Sequence, residues 1–394
     1  MKALLLLGTL ASGGAERQLC TLAAQMKRRG IDVSVATYAP GDFYLPLLQE
    51  AGVEHRPLPT AKGLLHWRRI LTVRKALRRG QHDVVLAFDH NPCRYGELAA
   101  WPRRRWGLVV SERSAVPGSQ RRRWSPTKRL HLLADYVTTN SHTNRLMLER
   151  AVPQLRGRIV TVYNSVDLLH FQPGCAAASP AAQIRLLVAG GYQAQKNMQG
   201  LAEAVAILRR RSPGTNISVD WYGAIRLPQD YDDARRHIVA LGLEDRFRLN
   251  GESAKIADLY RQADAVVLPS FYEGLPNTIC EGMACGRPIL MSAVSDAGNL
   301  VKEGENGFLF DPASPQSIAE AMGKFAALSD AERKVMGCRS REMAETLFDA
   351  DKIVQKYIEI LTAAASRTRI DFDHWYPEVP QTAYATLNER GAIS

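Results

Sequence analysis

Short apolar runs alternate with amphipathic helical patterns along most of the chain. Residues 2–8 form an apolar run, a helical spacing of apolar residues follows over 15–29, and residues 31–36 alternate as a strand does. Strand, helix and strand in this order predict a βαβ unit, and hence a parallel sheet with a right-handed crossover. The first half continues this pattern, with strands predicted at residues 84–87, 108–110, 136–139 and 159–162.

The pattern stops at residues 171–183, which are rich in Pro, Ala and Ser, and starts again beyond them. The second series predicts strands at 184–188, 217–221, 247–249, 265–268 and 288–291, and closing helices at 314–327, 330–346 and 349–364. The chain is therefore predicted to be an α/β protein with two Rossmann-like domains. The predicted segments are a first domain at 1–172, a linker at 173–183, a second domain at 184–348, and, at 349–394, a final helix that packs back on the first domain followed by a polar tail.

The composition agrees with two packed domains rather than with a disordered or membrane-spanning chain. The chain has 394 residues, of which 46% are hydrophobic and 23% are charged, which is enough for two cores. Its six cysteines are widely spaced, as is typical of reduced thiols, and no apolar run is long enough to span a membrane. The apolar N-terminus is interpreted as the first strand rather than as a signal peptide, because the fold requires that strand. We therefore expect a cytoplasmic protein.

The whole chain has a net charge of +11, and its basic runs are concentrated in the first half. Basic runs interleaved with tryptophan attract nucleic acid, phosphorylated ligands or an anionic membrane, although a solvated face is an alternative for any single run. No nucleic-acid-binding motif is found, so we expect peripheral contact with the inner face of the cytoplasmic membrane and no nucleic-acid partner. The predicted surface consists of Arg68, Arg69, Arg121, Arg122, Arg123 and Trp124, and the same basic stretches include Trp67, Lys75, Trp101, Trp106 and Lys128.

Two glycine-containing loops follow predicted strands. Gly13 and Gly14 precede the first helix, where the backbone can approach a ligand and the helix N-terminus attracts an anion. This loop matches neither the dinucleotide-binding motif nor the P-loop, and a tight turn is an alternative. Lys196 follows Gly190 and Gly191 at the start of the second domain. A solvated lysine at a helix N-terminus is disfavoured, because its charge opposes the helix dipole. We therefore favour a contact between Lys196 and phosphate oxygens.

A pair of glutamates flanks a later loop of the second domain. Glu273 lies in the loop after a predicted strand, and Glu281 lies inside the next helix, four residues beyond Asn277. This spacing directs Glu281 back toward the loop. Carboxylates placed in this way can accept hydrogen bonds from sugar hydroxyls, and the amides of Gly274 and Leu275 can meet an anionic diphosphate.

The segment from Glu273 to Glu281 resembles the Glu, seven residues, Glu signature of retaining glycosyltransferases of the group 1 family, family four, which have the two-domain GT-B architecture. The resemblance covers roughly residues 1–362, so chance agreement with one short motif does not explain it. It implies two facing Rossmann-like domains with a cleft between them. The other family-like segments are LASGGAERQL near the start, VSERSAVPG at 110–118, VYNSVD at 162–167, AQKN at 194–197, LNGES at 249–253 and GENGFLFDP at 304–312.

The resemblance also implies roles for individual residues. Glu273 is similar to the glutamate that contacts the donor sugar, Glu281 to the one that binds the ribose, and Lys196 to the lysine that binds the diphosphate. Gly13 and Gly14 resemble the loop that closes over the phosphates. The other residues expected at the donor are Gly223, Asn250, Gly274, Leu275, Pro276 and Asn277.

One departure from the family pattern concerns the diphosphate. The family commonly has an arginine five residues before the lysine, and this chain has Gly191 there. Neutralisation of the diphosphate must then rest on Lys196 alone or recruit another cation, for which Arg226 and Arg113 are candidates.

A second departure concerns a histidine that many relatives have at a strand end of the first domain. Ser111, Glu112 and Arg113 stand in its place, and His90 is the nearest histidine, on a neighbouring strand end. Glu112, Arg113 and His90 are therefore candidate catalytic residues beside Glu273 and Lys196. A hydrogen-bonded structural role is an equally open alternative for His90.

The resemblance implies transfer of a sugar, with retention, from a nucleotide diphosphate sugar such as a UDP-sugar to a hydroxyl acceptor. We expect a lipid-linked or cell-surface glycan as acceptor, such as lipopolysaccharide, O-antigen or exopolysaccharide. No metal or other cofactor is expected, because the D-x-D string at 371–373 lies in the tail. Two alternatives are a GT-B enzyme of another reaction type, such as an epimerase, and a basic protein that binds membranes or nucleic acid.

Overall fold

The computed structural model describes residues 1–58, 66–113, 127–174, 183–372 and Trp375. The chain divides into two compact units, one formed by Met1–Ser165 with the stretch that begins at Ala350, and the other by Val166–Asp349. Each unit is built on one parallel sheet with helices, as predicted. Most of the predicted linker, residues 175–182, lies outside the described residues.

The first unit contains a seven-stranded parallel sheet in the order β3-β2-β1-β4-β5-β6-β7. The strands are β1 (Lys2–Leu7), β2 (Asp32–Thr37), β3 (Glu54–Pro57), β4 (Val84–Phe88), β5 (Gly107–Glu112), β6 (Tyr136–Thr139) and β7 (Ile159–Thr161). The helices that precede the second unit are α1 (Gly14–Arg28), α2 (Leu45–Glu50), α3 (His66–Arg79), α4 (His90–Ala100) and α5 (His142–Ala151).

The second unit contains a six-stranded parallel sheet in the order β10-β9-β8-β11-β12-β13. Its strands are β8 (Ile184–Ala189), β9 (Ile217–Tyr222), β10 (Phe247–Asn250), β11 (Ala265–Leu268), β12 (Ile289–Ser292) and β13 (Gly307–Phe310). Its helices are α6 (Met198–Arg211), α7 (Pro228–Ala240), α8 (Ile256–Gln262), α9 (Asn277–Ala284), α10 (Ala297–Leu300), α11 (Pro315–Ala326) and α12 (Asp330–Leu347), and α13 (Ala350–Ser366) returns to the first unit.

The central strands are apolar on both sides because helices cover both faces of each sheet. In β1, Leu5 and Leu7 pack into the apolar cluster formed with α1 and α13, while Leu4 and Leu6 pack into the cluster formed with α3 and α4. Successive side chains of a strand point to opposite faces, so a continuous apolar run is what such a strand requires. The N-terminal apolar run is therefore accounted for as the central strand.

Each sheet has a point where neighbouring strands send their following helices to opposite faces. In the first unit this point lies between β1 and β4, and in the second between β8 and β11. The loops after these strand pairs diverge at the carboxyl edge of the sheet and leave a crevice, which is where doubly wound proteins bind their ligands. The loops after β1, β4, β8 and β11 are the ones that contain the predicted glycines, His90, Lys196 and Glu273.

Two edge strands and the positions of two side chains differ from the sequence prediction. Strand β3 reads Glu-His-Arg-Pro and β13 reads Gly-Phe-Leu-Phe, and neither was predicted. Lys128 and Trp106 were placed in basic surface runs, which is wrong, because both side chains are buried. In the described part of the chain, none of the helices combines the length and the apolar character needed to cross a membrane.

Candidate functional site

Lys196 and Glu273 form an ion pair at the carboxyl edge of the second sheet. Lys196 ends a short 3₁₀ turn after β8, Glu273 lies in the loop after β11, and 2.6 Å separates Nζ of the lysine from Oε1 of the glutamate. Both side chains are largely shielded, with 21% and 11% of their surface exposed. An ammonium has three donors and Glu273 occupies one, so Lys196 can bind further oxygens without losing this partner.

The two loops that present this pair are hydrogen-bonded to each other. The side-chain amide of Gln195 donates to the carbonyl of Tyr272 at 2.6 Å, and the amide of Phe271 donates to the carbonyl of Gln195 at 2.9 Å. These bonds join the residues next to Lys196 and Glu273 in the two loops. They fix the separation of the two loops and therefore the geometry of the pair.

Asn197, next to Lys196, ties three segments together. Its backbone is left-handed, with φ 54°, and its Oδ1 caps α6 by accepting from the amide of Gly200. Its Nδ2 donates to the carbonyl of Pro269 at 3.0 Å and to that of Pro312 at 2.8 Å. Asn197 is buried and was not selected from the sequence, where only its neighbour Lys196 had an evident chemical role.

The loop after β8 packs closely against the residue that follows β9, which requires a glycine at position 223. A Cβ at Gly223, after β9, would lie 1.9 Å from the carbonyl oxygen of Gly190. That oxygen also accepts a hydrogen bond from Nε1 of Trp221 at 2.7 Å. At Gly191, where the family has an arginine, a Cβ would approach the side-chain amide of Gln193 at 2.6 Å. The loop is therefore held tightly against β9, and Gln193 lies in the direction that a side chain at 191 would take.

The two glutamates of the signature occupy different environments. Glu281 is buried in α9 and accepts a hydrogen bond from the hydroxyl of Tyr260 in α8 at 3.2 Å. Between them, Leu275 is buried, the carbonyl of Gly274 accepts a hydrogen bond from the hydroxyl of Ser295, and α9 begins at Asn277 after Pro276. Asn250 ends β10, where its side-chain amide donates to the carbonyl of Trp221 at 3.3 Å.

Of the two candidate cations for the diphosphate, Arg226 follows a strand of the same sheet as Lys196. It is exposed in the loop after β9, at the carboxyl edge of the strand next to β8. Arg113 belongs to the first unit, where its guanidinium donates to Asn164 at 2.8 Å and to Tyr357 at 3.2 Å and lies 4.2 Å from the ring centroid of Phe88. Arg226 is thus the better placed of the two candidates.

At the carboxyl edge of the first sheet, α1 begins at Gly14 and Gly13 caps it with an extended backbone. The carbonyl of Gly13 accepts hydrogen bonds from the amide of Arg17 at 3.0 Å and from the hydroxyl of Tyr44 at 3.3 Å. The paired glycines therefore lie at a helix N-terminus, as their position in the sequence predicts.

Glu112, at the end of β5, is part of a buried charged cluster. Its carboxylate is ion-paired with Lys128 and lies 3.5 Å from Nε2 of His131, whose Nδ1 contacts Glu97. All four side chains are at most 3% exposed. Burial alone would raise the pKa of Glu112, but Lys128 and His131 outweigh this effect and lower the pKa to about 2. Burial would likewise lower the pKa of His131, but Glu112 and Glu97 outweigh it and raise the pKa to about 9.

His90 lies beside this cluster at the start of α4. Its Nδ1 is 3.4 Å from Nζ of Lys128, and the residue as a whole is exposed. Burial of the ring lowers the pKa of His90, and the charge of Lys128 lowers it further. The structure thus brings His90 and Glu112 together through Lys128.

The predicted basic surface is only partly described. Arg68 is exposed and lies 5.2 Å from the ring centroid of Trp67, whereas Arg69 is half-buried. Arg121, Arg122, Arg123 and Trp124 lie outside the described residues, as does Asp373 of the D-x-D string. Among the residues that the structure describes, no group of three or more His, Cys, Asp or Glu side chains could hold a metal ion.

Comparisons with known families match both halves of the chain. The family model described as glycosyltransferase family 4 matches residues 12–169, and the one described as glycosyl transferases group 1 matches residues 183–327. A D-inositol 3-phosphate glycosyltransferase of Saccharomonospora viridis is 26% identical, with 90% of this chain and 91% of the relative aligned. A glycogen synthase of Mycobacterium tuberculosis is 27% identical, and the alignment takes in 58% of this chain and 54% of that relative.

Solved structures resemble the chain over both units. HepE of Anabaena, in complex with UDP and glucose, has a TM-score of 0.78 at 22% identity, covering 92% of this chain and 100% of that chain. The lipopolysaccharide outer core galactosyltransferase WaaB has a TM-score of 0.71 at 18% identity, covering 92% and 99%. Together with the two parallel sheets, these likenesses confirm the predicted α/β GT-B fold class.

Proposed function

Because the chain belongs to the group 1 glycosyltransferases of family four, we propose that it is a retaining enzyme that transfers a hexosyl or N-acetylhexosaminyl group from a UDP-sugar to a hydroxyl acceptor. The observation that carries the proposal is the Lys196–Glu273 pair at the crevice of the second sheet. The UDP-bound structures of HepE support UDP as the nucleotide, since they share this fold.

The pair supplies the two contacts that a nucleotide sugar needs. Lys196 donates its remaining protons to the diphosphate, and the N-terminus of α6 adds positive potential on the same side. The second oxygen of Glu273 accepts a hydroxyl of the donor sugar. Arg226 is the candidate second cation for the diphosphate. Lys196 holds Glu273 in place before the donor binds, so the donor meets a preformed pair of contacts.

In the proposed reaction, the bond from C1 of the sugar to the diphosphate oxygen breaks and the acceptor oxygen bonds to C1 on the same face. The acceptor proton passes to the departing diphosphate. No protein nucleophile is required, because the acceptor oxygen itself attacks C1. We assign no metal to this step, because Lys196 and the helix N-terminus stabilise the negative charge that develops on the leaving group.

Release of nucleoside diphosphate from UDP-, GDP- and ADP-sugars tests this proposal. We expect turnover with a UDP-sugar, and a loss of at least about 100-fold in kcat/KM in Glu273→Gln and in Lys196→Ala. Lys324→Ala is the matched control, because Lys324 also pairs with a glutamate, Glu303, but on the exposed surface at 3.3 Å. Undiminished turnover in both site variants would contradict the proposal.

We further propose that the acceptor is a lipid-linked or cell-surface glycan reached at an anionic membrane from the cytoplasmic side. The exposed face of α3 supports this, because Trp67 and Leu71 are 52% and 53% exposed and Arg68 and Lys75 lie on the same face. Residues four and seven apart share a helix face, so apolar and basic groups are presented together, as in helices that lie on membranes. Trp101, 62% exposed, is joined to α3 by a hydrogen bond from Arg74 to its carbonyl.

A further inference from the structure

We propose that Lys128 is a positioning residue that fixes His90 as a neutral imidazole whose Nε2–H donates a hydrogen bond to a substrate oxygen. The proposal rests on the glycosyltransferase function proposed above, because it requires a substrate bound at the carboxyl edge of the first sheet, where doubly wound domains bind ligands. It assigns a role to a lysine whose place in a basic run suggested only a surface charge.

The tautomer of His90 follows from the chemistry of its neighbour. Nζ of Lys128 lies 3.4 Å from Nδ1 of His90. An ammonium group can only donate, so Nδ1 must accept and therefore has no proton of its own. The single proton of the neutral ring is then on Nε2. His90 is an exposed residue, so Nε2 is the ring nitrogen left for a ligand.

Lys128 is held in this orientation by a network that continues into the core. The lysine is 2% exposed and ion-paired with Glu112, which also contacts His131, and His131 in turn contacts Glu97. Within this group, the low pKa of Glu112 keeps its carboxylate ionised at neutral pH, and the raised pKa of His131 keeps its ring protonated. A buried side chain with charged partners has little freedom to turn away from His90.

The backbone before His90 is strained in a way that supports a functional position. Asp89 has φ 81° and ψ 166°, a conformation that is unfavourable for a residue with a Cβ. Its amide donates to the carbonyl of Ser111 at 2.9 Å, and its carbonyl accepts the amide of Cys93 at 3.0 Å. These bonds hold the turn from β4 into α4, and the turn places His90 at the carboxyl edge of the sheet.

Four charged or titratable groups in the described part of the chain act on His90. Lys128 and His131 lower its pKa, while Glu112 and Asp89 raise it, and burial is the largest effect and lowers it. The pKa of His90 therefore lies below its ordinary value, which favours the neutral ring. The Nε2–H of that ring can donate to a sugar hydroxyl or a phosphate oxygen.

Nitrogen-15 NMR of the histidine rings in the full-length protein tests this directly. In wild type we expect His90 to be neutral at pH 7 with its proton on Nε2. In Lys128→Met the midpoint of the His90 titration should rise by at least about half a pH unit, because the neighbouring positive charge is gone. His55 and His82 are internal controls, since neither titration depends on Lys128, and their midpoints should not move.

Lys128→Met leaves Glu112 with one cation fewer, so a second variant guards against loss of folding. Glu112→Gln/Lys128→Met removes both charges, and in it the His90 midpoint should still rise, because Lys128 acts on His90 more strongly than Glu112 does. A His90 proton on Nδ1 in wild type, or an unchanged midpoint in whichever variant folds, would overturn the proposal.

The pH profile of sugar transfer supplies the second arm. Above the His90 midpoint, Lys128→Met should lose kcat/KM relative to wild type, because the proton of the neutral ring is no longer fixed on Nε2. Below the midpoint the difference should shrink, because the imidazolium donates from both ring nitrogens. The NMR spectra decide the role of Lys128 even if the protein turns over no nucleotide sugar. Absence of turnover would contradict the proposed function alone. A pH profile of transfer in Lys128→Met that runs parallel to that of wild type would overturn the inference and leave the proposed function standing.

Discussion

His131 lies in the buried cluster between two carboxylates, and this makes its contribution to stability depend on pH. The pKa of His131 is raised from 6.5 to about 9 in the folded protein. A group whose pKa rises on folding stabilises fully below its unfolded pKa, and this stabilisation is lost as the pH increases through the folded pKa. The contribution of His131 is therefore present at pH 6 and disappears between pH 6.5 and pH 9.

Replacing His131 should consequently be more damaging in acid than in base. In His131→Gln we expect a thermal midpoint lower than that of wild type at pH 6 by about 5 °C, equivalent to roughly 2 kcal/mol, and a much smaller difference at pH 9. Thermal unfolding followed by circular dichroism at both pH values measures the two differences. An equal difference at pH 6 and pH 9 would show that His131 is not protonated in the folded state.

Single residues differ in how far their roles can be predicted from sequence. The contact between Lys196 and Glu273 could be anticipated, because the ends of parallel strands meet at one sheet edge and both residues follow such ends. The environment of Lys128 could not, because a lysine among arginines has the pattern of a solvated face. Its burial depends on Glu112, at the end of β5, and on His131, in the 3₁₀ turn Arg129–Leu133.

The start of α6 is the element on which the donor site depends most. Asn197 caps this helix in a left-handed conformation and binds the loops after β11 and β13 with the same side chain. Two substitutions separate these contributions, since glycine accepts the backbone conformation and alanine does not.

We expect Asn197→Gly to lower stability by about 1–3 kcal/mol, because the cap and two buried carbonyl partners lose their bonds. Asn197→Ala should lower it by about 1 kcal/mol more, because a Cβ disfavours φ 54°. Thermal midpoints of the two variants measure the order. An alanine variant as stable as the glycine variant would mean that the left-handed backbone is not retained.

The elements that could be predicted are those with strong periodicity. Strands β6 and β11 have the predicted limits and helix α12 begins at the predicted residue, because buried apolar strands and long amphipathic helices leave clear patterns. Strand β3 could not be predicted, because it lies at a sheet edge and consists of polar residues and a proline. Strand β13 also lies at a sheet edge, and it begins with a glycine. These strands exist because the neighbouring strands offer unpaired backbone groups.

At the scale of the whole molecule, the two sheets and the match over both halves establish the enzyme class, while the acceptor side stays a proposal. Charge reversal on α3 tests the membrane contact. In co-sedimentation with vesicles of anionic phosphatidylglycerol, Arg68→Glu/Lys75→Glu should lower the affinity of the protein for the vesicles by at least about 10-fold. Each basic residue near such a surface contributes about 1 kcal/mol to binding. Neutral phosphatidylcholine vesicles should show no such change.

The matched control for this test is Arg235→Glu/Arg236→Glu on α7, which reverses the same number of exposed charges in the other unit. It should bind anionic vesicles as the unchanged protein does. Equal binding by the α3 variant and the unchanged protein would rule out α3 as the membrane contact.

The most direct test of the central claim is calorimetric titration of the protein with UDP. The account predicts that UDP binds the wild type and the Lys324→Ala control equally, and that Lys196→Ala binds it at least about 10-fold more weakly, because the diphosphate loses its cation. Binding of UDP to Lys196→Ala with wild-type affinity would contradict the assignment of the donor site.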